Sequence, residues 1–180
     1  MYPEIPIQAK VRLLPYLLLV VVVLFTIDDL SATAQADKST HRPIAPSTRA
    51  QADIPARYLR LYQTAGGRYG IPWAVLAGIG KIESDHGRSP LPGVRSGVNR
   101  FGCCAGPMQF NIRNGPRTTW DRWGHGSPYR PEDAIPAAAR MLAGNGGHRN
   151  LNQAIYSYNH SWAYVAQVRA LARRYQKAHP

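Results

Sequence analysis

The sequence predicts a small, mainly α domain over residues 54–180, with a long irregular segment set into it. Three observations predict it. Apolar residues recur at helical spacing in successive stretches, and residues suited to start or stop a helix flank each one. Strand-like alternation of any length is absent from the sequence, as is any internal repeat.

The first stretch begins at Ile54, and Pro55 suits an opening turn. Ile54, Tyr58, Leu61, Tyr62, Ala65 and Tyr69 fall on one face, and Gly70 stops the helix. A second helix starts near Ile71 with Pro72 in its first turn. Val75, Leu76, Ile79 and Ile82 form its stripe; the helix is expected to end near His86, with Gly87 as the left-handed cap. Residues 88–130 are rich in Gly, Pro, Asn and Arg without periodicity, and so long an irregular stretch in a small domain points to function. A helix resumes at Asp133 or earlier, with Pro136 still in its tolerated first turn. Its face is Ala134, Ile135, Ala138, Met141 and Leu142, and Gly144 ends it. Residues 151–159 make a short helix after the cap Asn150. Ser161 caps the last helix, whose face is Val165, Val168, Ala172 and Tyr175.

Upstream, Lys10 and Arg12 precede an uncharged apolar run, residues 13–27, and the small residues SATAQA follow at 31–36. Positive flank, apolar run and A-x-A pattern describe residues 1–36 as an export signal cut after Ala34 or Ala36. The run is short for a membrane span of about 20 residues, which leaves an uncleaved N-terminal anchor as the alternative. Residues 37–53 read as a flexible linker. The mature protein is expected outside the cytoplasm, secreted or held at the cell envelope, touching membrane only through the N-terminal segment.

The formal net charge of +12 favours an anionic partner. Its basic residues run from Lys10 to Lys177 without a dense cluster or interleaved aromatics, so nucleic acid is not expected. Six histidines form no H-E-x-x-H pattern, and no metal or other cofactor is expected. The two cysteines, Cys103 and Cys104, are adjacent, which excludes a disulfide framework or a zinc site. They are expected as two half-buried apolar side chains; a strained vicinal disulfide or an intermolecular bridge is the sharper alternative.

One glutamate stands out. Glu83 continues the stripe of the second helix, four residues after Ile79 and seven after Leu76. A carboxyl on an apolar face loses hydration, and the unpaired carbonyls of a last helical turn repel an anion. Both effects raise its proton affinity, as general-acid cleavage of a glycosidic bond requires. The competing reading is a helix-end glutamate paired with Arg88 or Lys81.

GIGKIESDHGRS at 78–89 resembles the catalytic segment of bacterial lytic transglycosylases, in which the general-acid glutamate precedes a serine. AGPMQF at 105–110 is similar to their glycine-x-methionine-glutamine element, and YSYNHSWAYV at 156–165 to their tyrosine-asparagine element. The three occur in the family's order and cover most of residues 54–175; the resemblance is closest to single-domain secreted actinobacterial forms. It implies a lysozyme-like helical domain whose irregular segment lines a glycan groove. It also implies cleavage of the β-1,4 bond between N-acetylmuramic acid and N-acetylglucosamine in peptidoglycan strands, by a monomer.

Carried over by position, Glu83 is the acid that later acts as base, and Ser84 orients the substrate or the carboxyl. Gln109, with the backbone around Met108, lines the sugar groove, while Tyr158 and Asn159 reach the glutamate or the reacting sugar. Met108, Phe110 and Tyr156 are expected to pack. Ordinary glycosidases need a second carboxylate. In the family reading the substrate's acetamido oxygen stabilises the cationic centre instead, and the C6 hydroxyl attacks to give a 1,6-anhydro sugar. Asp121, Glu132 and Asp133 are the candidates for a second carboxylate; one of them facing Glu83 would make the chain a hydrolytic muramidase. A glycan-binding module without catalysis, held by charge to anionic cell-wall polymers, is the third reading. Two departures from the family pattern are Cys103-Cys104, where small residues are expected, and NIRNGPRTTW at 111–120. Trp73, Trp120, Trp123 and Trp162 are candidates for stacking on sugar rings, with core packing the commoner role.

Overall fold

The computed structural model describes residues 45–177. The expected signal, residues 1–36, and the first part of the expected linker lie outside the described residues. Seven helices and one small hairpin follow in order: α1 (Thr48–Asp53), α2 (Ala56–Tyr69), α3 (Trp73–Ser84), β1 (Cys104–Ala105), β2 (Phe110–Asn111), α4 (Thr119–Trp123), α5 (Pro131–Gly144), α6 (Leu151–Asn159) and α7 (Trp162–Gln176). The described part is mainly helical, as predicted.

Helix α3 lies at the centre because it is apolar on every side, as expected of a helix surrounded by protein. Trp73 through Gly80 are all buried, and α2, α5 and α7 pack around them. Gly78 sets the approach of α7, since a Cβ there would come 2.9 Å from the Val168 carbonyl oxygen. Helix α6 packs between α5 and α7. The faces read from the sequence are the buried ones: Tyr62 and Ala65 of α2, Ala134, Ile135, Ala138, Met141 and Leu142 of α5, and Val165, Val168, Ala172 and Tyr175 of α7. Gly70 (φ 62°) ends α2, while the side chains of Asn150 and Ser161 cap α6 and α7 as expected.

Four boundaries differ from expectation. The end of the predicted linker is helix α1, started by the Ser47 side chain, which accepts from the Ala50 N–H at 3.1 Å. Ser47 also bonds to α7 through its own N–H to the Tyr175 carbonyl (2.9 Å), and Ala50 and Ile54 are buried. A Ser-Thr-Ala composition suggests a tether, but two small apolar contacts and a cap suffice to dock one turn. Ile54 therefore closes α1 rather than opening α2.

Helix α3 stops at Ser84 instead of near His86. Asp85 (φ 51°) takes the left-handed cap because its carboxylate is held between Lys81 (2.8 Å) and Arg88 (2.7 Å). Helix α5 opens at Pro131, so Pro136 lies past the first turn. Asp133, expected as a cap, instead accepts from the Ser127 N–H of the preceding loop at 3.0 Å. Within the irregular segment, β1 and β2 pair antiparallel, Cys104 opposite Asn111 and Ala105 opposite Phe110. These strands are too short for alternation to reveal them.

Behind α3 a partly buried polar chain joins four helices. The Tyr175 hydroxyl donates to Asp53 Oδ2 (2.7 Å), so it receives the proton of His86 Nε2 (3.3 Å). Nδ1 of the same ring is then the acceptor for the Tyr62 hydroxyl at 3.1 Å. Burial holds this doubly bonded, neutral imidazole down to about 4. Lys81 reaches Asp53 Oδ1 at 2.7 Å and completes the chain.

Candidate active site

Glu83 projects from the last turn of α3 into a cleft of about 440 Å³. The irregular segment supplies one wall through Asn99, Phe101, Cys103, Cys104 and Gln109, with Phe110, Asn111 and Thr119 beside them. Met141 of α5 and the end of α6, Tyr158 to His160, complete it.

Among the described residues the carboxyl has one protein donor, the Tyr164 hydroxyl, which gives a 2.7 Å bond to Oε1. Tyr164 sits in the first turn of α7, where its N–H donates to the capping Ser161 side chain (3.3 Å). Its ring lies parallel to that of Tyr158, with centroids 6.5 Å apart. Burial among these rings outweighs the hydrogen bond and pushes Glu83 up from 4.5 to about 7. Both phenols are held well above their ordinary range by burial and by the nearby carboxylate, so they remain donors.

The ion-pair reading of Glu83 does not hold. Lys81 and Arg88 are engaged by Asp85 and Asp53 on the side of α3 where the partly buried polar chain lies. Arg88 and Lys81 in turn hold the Asp85 carboxyl down to about 2. Of the other acids considered, Asp121 caps α4 through the Thr118 N–H (3.0 Å), Glu132 pairs with Arg57, and Asp133 bonds to the Ser127 loop. Among the described residues lining the cleft, Glu83 is the one carboxylate.

The other predicted site residues divide into two groups. Gln109, Tyr158 and Asn159 line the cleft with Glu83. Ser84 and Met108 do not. Ser84 is 2% exposed; its hydroxyl donates to the Pro107 carbonyl (2.6 Å) and accepts from the Gly87 N–H (2.8 Å), so it ties α3 to the hairpin turn rather than meeting a ligand. Met108 is fully buried, and its carbonyl accepts from the Tyr158 hydroxyl at 2.7 Å. Tyr158 thus spends its proton on the turn, and the tyrosine that reaches the glutamate is Tyr164.

The turn between β1 and β2 is fixed from several sides. Gly106 has φ 80°, and a Cβ there would collide with the Pro128 carbonyl, so glycine is required. Gln109 adopts φ 47°, a left-handed conformation that costs a non-glycine residue on the order of 1 kcal/mol or more. Its side chain offsets this by donating to the Gly106 carbonyl (2.8 Å) and accepting from the Asn99 amide (3.1 Å).

Cys103 and Cys104 are joined in a vicinal disulfide on the cleft wall, so the expectation of two free apolar side chains is corrected. Adjacency made that alternative look unfavourable; the hairpin settles it by fixing both peptides. Cys103 O accepts from the Ile112 N–H (2.9 Å) and Cys104 O from the Asn99 N–H (2.9 Å). Trp73 belongs to the core, and Trp120 and Trp123 pack against it. Trp162 is exposed and stacks on Tyr156, with centroids 4.7 Å apart.

The sequence reading missed Tyr164, Asn99, Phe101 and His160. Tyr164 carried a signal, being four residues before Val168 and so on the buried face of α7. No group of three or more His, Cys, Asp or Glu side chains among the described residues is arranged to hold a metal ion. Likewise, no described helix is long and apolar enough to cross a membrane. Comparison with protein families, curated proteins and solved structures gives no match to the chain.

Proposed function

We propose that this chain is a peptidoglycan lytic transglycosylase of lysozyme-like helical fold, with Glu83 as general acid and then base. The observation that carries the reading is the Glu83 carboxyl itself: lodged in a cleft, pushed up to about 7, and bonded by a phenol that stays protonated. Near neutral pH a large share of such carboxyls hold a proton to deliver to a glycosidic oxygen. After the bond breaks, the resulting carboxylate accepts the Tyr164 hydrogen bond and takes the proton of the attacking C6 hydroxyl.

A single cleft carboxylate fits this chemistry, because the substrate's acetamido oxygen replaces the second acid that ordinary glycosidases use. Asp121, Glu132 and Asp133 are each committed to partners of their own, which favours the transglycosylase over a two-carboxylate hydrolase. Gln109 and Asn159 supply polar contacts for the sugars; Ser84 and Met108 act behind the cleft, through the hairpin turn. The N-terminal pattern supports export to where the polymer lies, and the +12 charge supports retention by anionic wall polymers.

The test is solubilisation of purified peptidoglycan by the wild type and by Glu83→Gln. The reading expects the wild type to release glycan fragments and the variant, folded by circular dichroism, to lose at least about a thousandfold in rate, as expected when the essential acid is removed. Normal turnover by Glu83→Gln would refute the assignment, and a wild type that binds the wall without cleaving it would leave a glycan-binding module.

A further inference from the structure

We propose that the Cys103–Cys104 disulfide and the ring of Phe101 form a stacking platform for one N-acetylhexosamine ring of the glycan, next to the bond that Glu83 cleaves. The proposal rests on the functional reading above and names a subsite within the same cleft.

Phe101 is 73% exposed, an unusual position for a phenylalanine, whereas Phe110 in the same cleft is 2% exposed. The ring is presented rather than left loose. Asn99 Oδ1 accepts from the Phe101 N–H (3.1 Å), the Asn99 carbonyl accepts from the Gly102 N–H (2.8 Å), and the Arg100 guanidinium lies over the ring at 4.8 Å. This tight turn feeds directly into the disulfide.

The disulfide does little as a staple. A cross-link stabilises a fold by removing loop entropy from the unfolded chain, and a bridge between neighbours closes almost no loop. Its local effect is to replace two thiols by a rigid pair of polarisable sulfurs on the cleft wall, held by the hydrogen bonds of Cys103 O and Cys104 O. A pyranose has an apolar C–H face suited to an aromatic ring and to sulfur, and polar edges that need donors. Those donors stand alongside. Asn99 and Gln109 each give one amide hydrogen to a protein acceptor, which leaves each a second for a sugar hydroxyl or an acetamido carbonyl.

The test measures binding of the N-acetylglucosamine tetramer to full-length Glu83→Gln protein by calorimetry, and kcat and KM for peptidoglycan in the Glu83 protein. Phe101→Ala, Cys103→Ser with Cys104→Ser, and reduction with a phosphine are compared. Each should weaken tetramer binding about tenfold and raise KM similarly, with kcat within about threefold. Because the Phe101 side chain is exposed, Phe101→Ala keeps the test open even if the double serine variant misfolds. Unchanged affinity and KM in Phe101→Ala and in the reduced protein would overturn the platform while leaving the cleavage reading intact. A wild type that cleaves nothing but whose tetramer affinity still falls on these changes would overturn the cleavage reading and keep the platform. No tetramer binding by the Glu83→Gln protein would overturn the platform outright.

Discussion

Glu83→Gln removes a charge without changing the shape of the side chain, so its effect on stability reads the environment of the carboxyl separately from catalysis. In the folded protein Glu83 titrates at about 7 rather than 4.5, so between these values the folded state holds more protons than the unfolded one. Its contribution is therefore fully present below about pH 4.5 and is lost as pH rises through about 7. At about 1.36 kcal/mol per pH unit, the loss amounts to about 3 kcal/mol. Glutamine avoids it, and its Oε1 can still accept from Tyr164. The variant should match the wild type near pH 4 and be more stable by about 3 kcal/mol at pH 8.5, on the order of 10 °C in Tm.

His86 acts in the opposite sense. Held down to about 4, it makes folding more favourable as pH rises toward 6.5, by a similar amount. The wild-type profile alone should thus be nearly flat between about pH 4.5 and 6.5, and only the difference between the two proteins isolates Glu83. Urea unfolding of both at pH 4, 6 and 8.5 provides the assay. A difference that is the same at all three pH values, or a variant less stable at pH 8.5, would refute the buried-acid argument.

Tyr164→Phe removes the donor that favours the Glu83 carboxylate, so the alkaline limb of the cleavage rate should move upward from about 7, by about one to two pH units for a hydrogen bond to a charged group. A pH–rate profile checks this, and a limb that stays put would show that the bond does not tune the acid. Ser84→Ala leaves the Pro107 carbonyl and the Gly87 N–H without a buried partner and should cost about 2 kcal/mol by denaturant unfolding. Retention of full stability would show that the serine is not the tie between α3 and the hairpin turn.

Most of the helical frame was legible in the sequence because it follows from apolar spacing and caps: the stripes of α2, α5 and α7, Gly70, Asn150 and Ser161. Glu83 was legible for the same reason, as a charge on an apolar stripe. Features set by contacts distant in the chain were not. Helix α1 exists through its contact with α7. The early end of α3 is instead a local effect, Asp85 meeting Lys81 and Arg88 four and three residues away, and Gly87 is the more obvious left-handed cap in the sequence. Ser84 and Met108 stood beside the right residues in sequence but face the interior, since the hairpin turn must be anchored to α3 and α6. The Tyr62–His86–Tyr175–Asp53 chain joins residues up to 122 positions apart, and no local pattern announces it.

The most direct measurement is mass spectrometry of the fragments released from purified peptidoglycan in water carrying heavy oxygen. The account predicts muropeptides ending in 1,6-anhydro-N-acetylmuramic acid, one water lighter than their reducing counterparts and free of label, and none with Glu83→Gln. Labelled reducing ends from the wild-type protein would contradict it.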